Sequence, residues 1–273
     1  MLPALSQVCS LPSPFEKDVE DYAAGHCGAI EIWLTKLETY LQSHRVDDAR
    51  RLLENNNVSA PVASFQGGLL ISQGDARREH WNHFERRLEL CRTLGIGTVI
   101  IAGDVLGPLD EQAFGRLQAS LTQAAAKAGE HGLRLALEFQ AKATYPNNLQ
   151  SAAALVETIA SPHLGLCLDA FHFFTGPSKE SDLAYLTADK LFHVQLCDLV
   201  WQAREFAADG DRILPGDGDF PLFTIVERLH EIDYRGCVSV ELMNPAIWQI
   251  PARQFGEVAV TAIRKVLGLA SMS

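Results

Sequence analysis

Glu138, Asp169, Gln195 and Glu241 each close a short run of strand-forming residues. The runs are Arg134-Leu135-Ala136-Leu137-Glu138, Gly165-Leu166-Cys167-Leu168-Asp169, Phe192-His193-Val194-Gln195 and Cys237-Val238-Ser239-Val240-Glu241. All four terminal side chains offer an oxygen, Gln195 through its amide carbonyl. Such a set suits a hard divalent cation, so Mg²⁺ or Mn²⁺ is favoured, with Co²⁺ or Zn²⁺ as alternatives. A single strand-end acid serves equally well as a cap or an ion-pair partner. Four from consecutive strands point to one shared site.

Side chains alternate across a strand, so Glu138 shares a face with Ala136, Asp169 with Cys167 and Gly165, and Glu241 with Ser239 and Cys237. The opposite face carries Leu135, Leu137, Leu166, Leu168, Val238 and Val240. Small residues inside and branched apolar residues outside predict strands lining a closed barrel with helices packed around it. Acids at the carboxyl ends of successive barrel strands converge at one mouth, which is where such barrels do chemistry.

The rest of the chain supplies the elements this requires. Strands are predicted over Ala4–Cys9, Ala29–Trp33, Val58–Phe65 and Gly97–Ala102, ahead of the four runs above. Helices are predicted over Pro14–Ala24, Asp47–Asn55, Arg77–Leu94, Glu111–Glu130 and Pro251–Leu267, with His131-Gly132 ending the fourth as a C-cap. Strands alternating with helices give a parallel sheet, and eight such units favour closure into a (β/α)8 TIM barrel. The 273 residues fit one such domain of about 250 residues. The longest loop, Leu199–Phe220, is expected to be functional.

A formal charge of −11 argues against nucleic acid or an anionic membrane as partner, since both need a basic surface. No apolar run approaches the ~20 residues that span a bilayer, and the N-terminus lacks the features of a secretory signal. Six scattered cysteines without a CxxC pair read as free thiols in a reducing cytoplasm. His80 and His83 have metal-like spacing but lie on an amphipathic helix without a third ligand. Gly216-Asp217-Gly218-Asp219 reads as a turn, because it lacks the Lys-Ser/Thr ending of a phosphate loop.

The phrases Leu168-Asp169-Ala170-Phe171-His172, Val194-Gln195-Leu196-Cys197-Asp198, Leu214-Pro215-Gly216-Asp217-Gly218-Asp219-Phe220 and Val240-Glu241 resemble the sugar phosphate isomerase/epimerase superfamily of xylose isomerase-like barrels. The similarity runs over essentially the whole chain and is sharpest over residues 133–245. In that family Glu, Asp, His and Glu from strands five to eight hold a divalent metal. The resemblance therefore implies Glu138, Asp169, the third-ligand position and Glu241 as ligands. Many relatives read His-x-His-x-x-Asp on strand seven, with the second His as ligand. Here that register holds Gln195, while His193 sits about 6–7 Å deeper on the same face. A Gln at this position also resembles the 3-dehydroshikimate dehydratase branch.

The implied chemistry is an isomerase or epimerase acting on a small polyhydroxy carbonyl compound through an enediolate, with Glu138 and Glu241 as acid and base. Loss of a β-hydroxyl from the same site would instead make a dehydratase of a keto acid or polyol, such as 3-dehydroshikimate or an inosose. The resemblance places His172 at the substrate, where an unperturbed pKa near neutrality suits proton transfer or hydrogen bonding. It aims Arg212 at the substrate too, where a fork of donors suits a carboxylate or phosphate. Lys142 and Glu31 are further candidates for substrate binding, Glu31 as an acid at the end of strand two with an ion pair inside the barrel as its alternative role, and Trp33 and Phe65 are candidates for the pocket wall. Relatives are often dimers or tetramers, which makes a homo-oligomer an expectation. Apurinic-site endonucleases share the fold but need many His ligands and a basic groove. A non-catalytic binding barrel would ignore Glu138→Gln and Glu241→Gln.

Overall fold

A computed structural model describes residues 1–269. Eight strands run β1 Leu2–Ser6, β2 Ala29–Trp33, β3 Ser59–Gln66, β4 Thr98–Gly103, β5 Arg134–Phe139, β6 Leu164–Asp169, β7 Leu191–Leu196 and β8 Cys237–Val240. Each pairs in parallel with the next, and β8 pairs with β1, so the sheet closes into a TIM barrel. Around it lie α1 Phe15–Ala24, α2 Leu34–Tyr40, α3 Val46–Asn55, α4 Gly74–Leu94 and α5 Glu111–Glu130. The outer ring is completed by α6 Leu149–Ile159, α7 Ala170–Thr175, α8 Leu222–Glu231 and α9 Ala252–Val266. Among the described residues no helix is long and apolar enough to cross a membrane.

The two-faced strand pattern explains the closure. Ala4, Ala29, Val62, Ile100, Ala136, Cys167, Phe192 and Cys237, one from each strand, form an apolar plug inside the barrel. Leu135, Leu137, Leu166, Leu168, Val238 and Val240 face outward into the core shared with the helices. Small residues predominate inside because the bore is narrow. At Gly165 an added Cβ would come within 2.5 Å of the Lys190 carbonyl and 2.7 Å of the Phe192 ring. The glycine leaves that ring the space to fill the plug.

Three sequence expectations need correction. The first strand stops at Ser6, and Gln7–Ser10 turns as a 3-10 helix toward α1. The turn is tied across the barrel end, where Cys9 Sγ donates to Val240 O at 3.4 Å and accepts from Leu242 N at 3.2 Å. Glu31 lies in the middle of β2 rather than at its end, and Glu241 lies one residue beyond β8. The acids of β5 and β6 are within their strands, as expected, and His131-Gly132 ends α5 with Gly132 at φ +72°.

The long loop between β7 and α8 is built around one carboxylate. Asp198 accepts from Leu199 N and Phe220 N through Oδ1 and from Gly216 N through Oδ2, each at 2.9 Å. Its backbone exchanges two hydrogen bonds of 2.9 Å with Ile213. Gly218 passes so close that a Cβ would stand 2.4 Å from Asp198 Oδ1. This frame carries Arg212 back over the barrel mouth.

At the same end, α1 and α2 share a buried ion pair, Lys36 Nζ to Asp18 Oδ2 at 2.5 Å. Ser10 supplies a carbonyl to the lysine and a hydroxyl to the carboxylate, each at 2.7 Å. Burial still pushes the Asp18 carboxyl up to about 6, with Lys36 acting against it. Lys36→Met leaves that acid without its counter-charge and is expected to cost about 3–5 kcal/mol in urea unfolding. Adding Asp18→Leu should recover most of the loss. Equal stability of wild type and Lys36→Met would show that the pair contributes nothing.

Candidate metal centre and active site

The strand registers deliver the polar residues in tiers. Ala102 pairs with Glu138, Glu138 with Cys167, Asp169 with Gln195, and Gln195 with Ser239. Glu138 and Asp169 thus reach the mouth above the apolar plug, while Gln195 and Ser239 mark a lower tier on β7 and β8.

Asp169 acts twice. Its Oδ1 accepts from Phe171 N at 2.7 Å and so caps the one-and-a-half turns of α7. That helix brings His172 back over the site, with Nε2 3.7 Å from Asp169 Oδ2. Glu138, Asp169 and His172 are buried and each offers a donor atom, all within 4.8 Å of one another.

Arg212 binds the other acids together. Its Nη1 donates to Asp169 Oδ2 and to Glu241 Oε2, both at 2.8 Å. Nε and Nη2 donate to Asp209 Oδ1 at 3.1 and 2.8 Å, and the guanidinium lies 4.4 Å from the centre of the Phe171 ring. Burial alone would favour losing its proton, but Asp169 and Glu241 outweigh that and hold it firmly charged.

Below the mouth lies a second polar tier. Glu31 Oε2 accepts from Ser239 Oγ and is 2.9 Å from His193 Nε2, while Ser6 Oγ donates to Glu31 Oε1 at 3.1 Å. Burial pushes the Glu31 carboxyl up, but the hydrogen bond and charge of His193 and the hydrogen bond from Ser239 outweigh it and leave it below its ordinary value. Gln195 joins the tiers: its Nε2 donates to Glu241 Oε1 at 2.8 Å and to Glu31 Oε1 at 3.2 Å. Its Oε1 meanwhile accepts from Cys167 Sγ at 3.2 Å. In this orientation the amide shows Glu241 its nitrogen. A half-turn of the amide would present the oxygen instead.

A cavity of about 310 Å³ opens above these groups. Glu138, Gln195, Glu241, His172, Arg212 and Lys142 all lie on its wall. Glu31 is not on that wall; Ser6, Ser239 and His193 surround its carboxylate one tier below. Lys142 stands at the rim and donates to Ala207 O at 2.7 Å. Trp33 and Phe65 form the aromatic side, ring centres 5.1 Å apart. His80 and His83 lie elsewhere, beside Gly68 O and Glu38 respectively.

Sequence reasoning passed over Asp104, Gln140, Asp209 and Phe171, all on the cavity wall. Gln140 follows Glu138 by two residues and donates to its carboxylate. That same-face spacing was a usable signal. Asp209 reaches Arg212 through a 3-10 turn that the sequence does not announce.

Burial raises the Glu138 carboxyl well above its ordinary value, and the neighbouring Asp169 adds to this against Arg212. Burial likewise raises Glu241, more than Arg212 can lower it. Burial lowers His172, partly offset by Asp169, so near neutrality its ring is uncharged with a free lone pair. These are the properties of a cation site. Glu138 is a buried acid that accepts its hydrogen bond from the neutral amide of Gln140, and a divalent ion beside Asp169 would supply the missing charge. His172 brings a nitrogen to a group that the strand ends alone would make all-oxygen, which widens the fit to Zn²⁺ and Co²⁺.

A family model described as xylose isomerase-like TIM barrel matches residues 21–259. The chain belongs to that family. Within it, the chain is 29% identical over 244 residues to an inosose isomerase of Halalkalibacterium halodurans, covering 87% of this chain and 86% of that protein. It is 30% identical over 277 residues to a 3-dehydroshikimate dehydratase of Pseudomonas aeruginosa, covering 95% of this chain but 40% of the relative. Among solved structures, the IOLI protein with a binding zinc atom superposes with a TM-score of 0.90 at 26% identity, covering all of both chains.

Since burial favours the protonated forms of Glu138 and Glu241, metal binding should release protons and strengthen as pH rises. Raised carboxyl pKa values in the folded state also mean that metal-free protein loses stability above the ordinary carboxylate range. The gain in Tm on adding Mn²⁺ or Zn²⁺ should therefore be larger at pH 7.5 than at pH 5.5. Scanning calorimetry at both pH values checks this, and an equal gain would contradict it.

Proposed function

We propose that this protein is a metal-dependent isomerase or epimerase that moves a proton at the carbon beside the carbonyl of a small polyhydroxy ketone. The observation that carries the reading is the pair Glu138 and Glu241. These two buried acids arrive from β5 and β8 on the wall of one cavity, both raised toward the range where a carboxyl exchanges protons near neutrality. Glu138, Asp169 and His172, with Glu241 and Gln195 beside them, are the groups that would hold the divalent ion. Such an ion polarises a carbonyl and stabilises negative charge developing on its oxygen.

The chain's own residues do the rest. One of the two glutamates takes the substrate proton and the other returns it, from the opposite side for an epimer or to the adjacent carbon for an isomer. His172, uncharged and lining the same wall, hydrogen-bonds a substrate hydroxyl. Arg212 holds Asp169 and Glu241 at fixed positions while the charge on Glu241 changes. Trp33, Phe65 and Phe171 exclude water from one side of the cavity. Six buried, unpaired cysteines suit a reducing cytoplasm.

The similarity to a 3-dehydroshikimate dehydratase favours a second reading, in which the same proton abstraction expels a β-hydroxyl. Incubation of Mn²⁺-loaded protein with an inosose in D2O separates the two. Deuterium entering recovered substrate or its isomer supports the isomerase, whereas formation of an absorbing enone supports the dehydratase. Glu138→Gln and Glu241→Gln, each confirmed folded by circular dichroism, should slow deuterium uptake by about a hundredfold or more. Uptake at wild-type rate in either variant would remove that residue from the reaction.

A further inference from the structure

Charge at the cavity wall separates the substrates that the relatives would suggest. Asp104, Glu138, Asp209 and Glu241 line it, against Arg212 and Lys142 among the described residues. Asp169 and Glu31 stand behind them, both fully buried. Neither cation is unclaimed. Arg212 donates to Asp169, Glu241 and Asp209, which leaves a single Nη2 hydrogen and no pair of parallel donors for an incoming anion. Lys142 donates to Ala207 O and helps hold the neighbouring Asp209 carboxylate in its charged form. The bidentate anion receptor that the sequence suggested for Arg212 is thus already satisfied by the protein's own acids.

Asp104 decides the rim. It lies two residues past Ala102, the register partner of Glu138, and so stands farther out along the barrel axis than the metal-site acids. Gly68 N donates to its Oδ2 at 2.6 Å, which fixes the carboxylate against the β3–α4 loop. A carboxylate held there accepts hydrogen bonds from hydroxyls and repels anions. The remaining wall mixes the polar side chains Ser64, Gln140, His172 and Gln195 with an apolar face of Trp33, Phe65, Ile100, Leu106, Phe171 and Met243. Such a surface takes the C–H face of a ring. Together the walls match a ring-sized molecule with many hydroxyls and no charge.

We propose that this cavity selects an uncharged cyclic polyhydroxy ketone over analogues bearing a carboxylate or phosphate, with Asp104 as the specificity residue that rejects the anion. The inference rests on the reading above in taking this cavity as the substrate site, but it is tested without the reaction. Titration calorimetry of the Mn²⁺-loaded protein with myo-inositol and with shikimate compares a neutral ring and a carboxylate ring, neither carrying the ketone. Myo-inositol should bind at least about tenfold more tightly. Raising the salt should narrow that gap by screening the repulsion.

Leu106→Lys, at a position 75% exposed and therefore tolerant of change, should raise shikimate affinity about tenfold and so narrow the preference for myo-inositol. Asp104→Asn, which keeps the side chain's shape, should narrow the preference in the same direction. Equal or tighter binding of shikimate by the wild type overturns the proposal, as does undetectable myo-inositol binding or an unchanged preference in both variants. Protein that exchanges solvent deuterium into 3-dehydroshikimate and binds shikimate best keeps the proposed proton transfer and loses this selectivity. Protein that prefers myo-inositol yet exchanges no deuterium keeps the selectivity and loses the proton transfer.

Discussion

One guanidinium nitrogen, Arg212 Nη1, lies 2.8 Å from both Asp169 and Glu241. Those acids come from strands six and eight, and with Glu138 they would repel one another in a site closed to water. Taking a carboxylate out of water costs several kcal/mol, and truncating one partner of such a buried pair typically costs about 3–5 kcal/mol. The shared arginine offsets that cost for two acids and leaves Glu138 with neutral partners. Glu138, Asp169 and His172 stand close enough together to share a cation that would supply that compensation.

The supports lead outward from this bridge. Asp198 frames the β7–α8 loop, the loop brings in Arg212, and Asp209 and Phe171 hold its guanidinium from two sides. Asp169 caps α7, and α7 returns His172 to the same acid. Below, Glu31, His193 Nε2 and Ser239 hydrogen-bond one another, and Glu31 fixes the nitrogen side of Gln195. Gln195 therefore links the inner tier to Glu241, a role that its place in a ligand series does not suggest.

The barrel and its acids were legible because both follow from strand periodicity. A period of two places Ala136 with Glu138 and Cys167 with Asp169, and sets the leucines against the helices. The fold and the convergence of β5, β6 and β8 come directly from that rule. Partners reached through turns were not legible. Asp209 meets Arg212 only because a 3-10 turn forms between them. Asp104 faces the cavity because Gly68, far away in sequence, fixes its carboxylate. Glu31 looked like a strand-end acid, but the register of β2 against β1 and β3 sinks it among His193, Ser239 and Ser6. Arg212 was found at the right place, but no local pattern shows that it also bonds three of the chain's own carboxylates.

The most direct measurement is anomalous diffraction at the manganese edge from crystals soaked in Mn²⁺. A single strong peak within bonding distance of Glu138 and Asp169, lost in an Asp169→Asn crystal, is the expected result. Glu138 and Asp169 turned away from each other with no ion between them, in protein saturated with metal, would contradict a cation centre at this mouth.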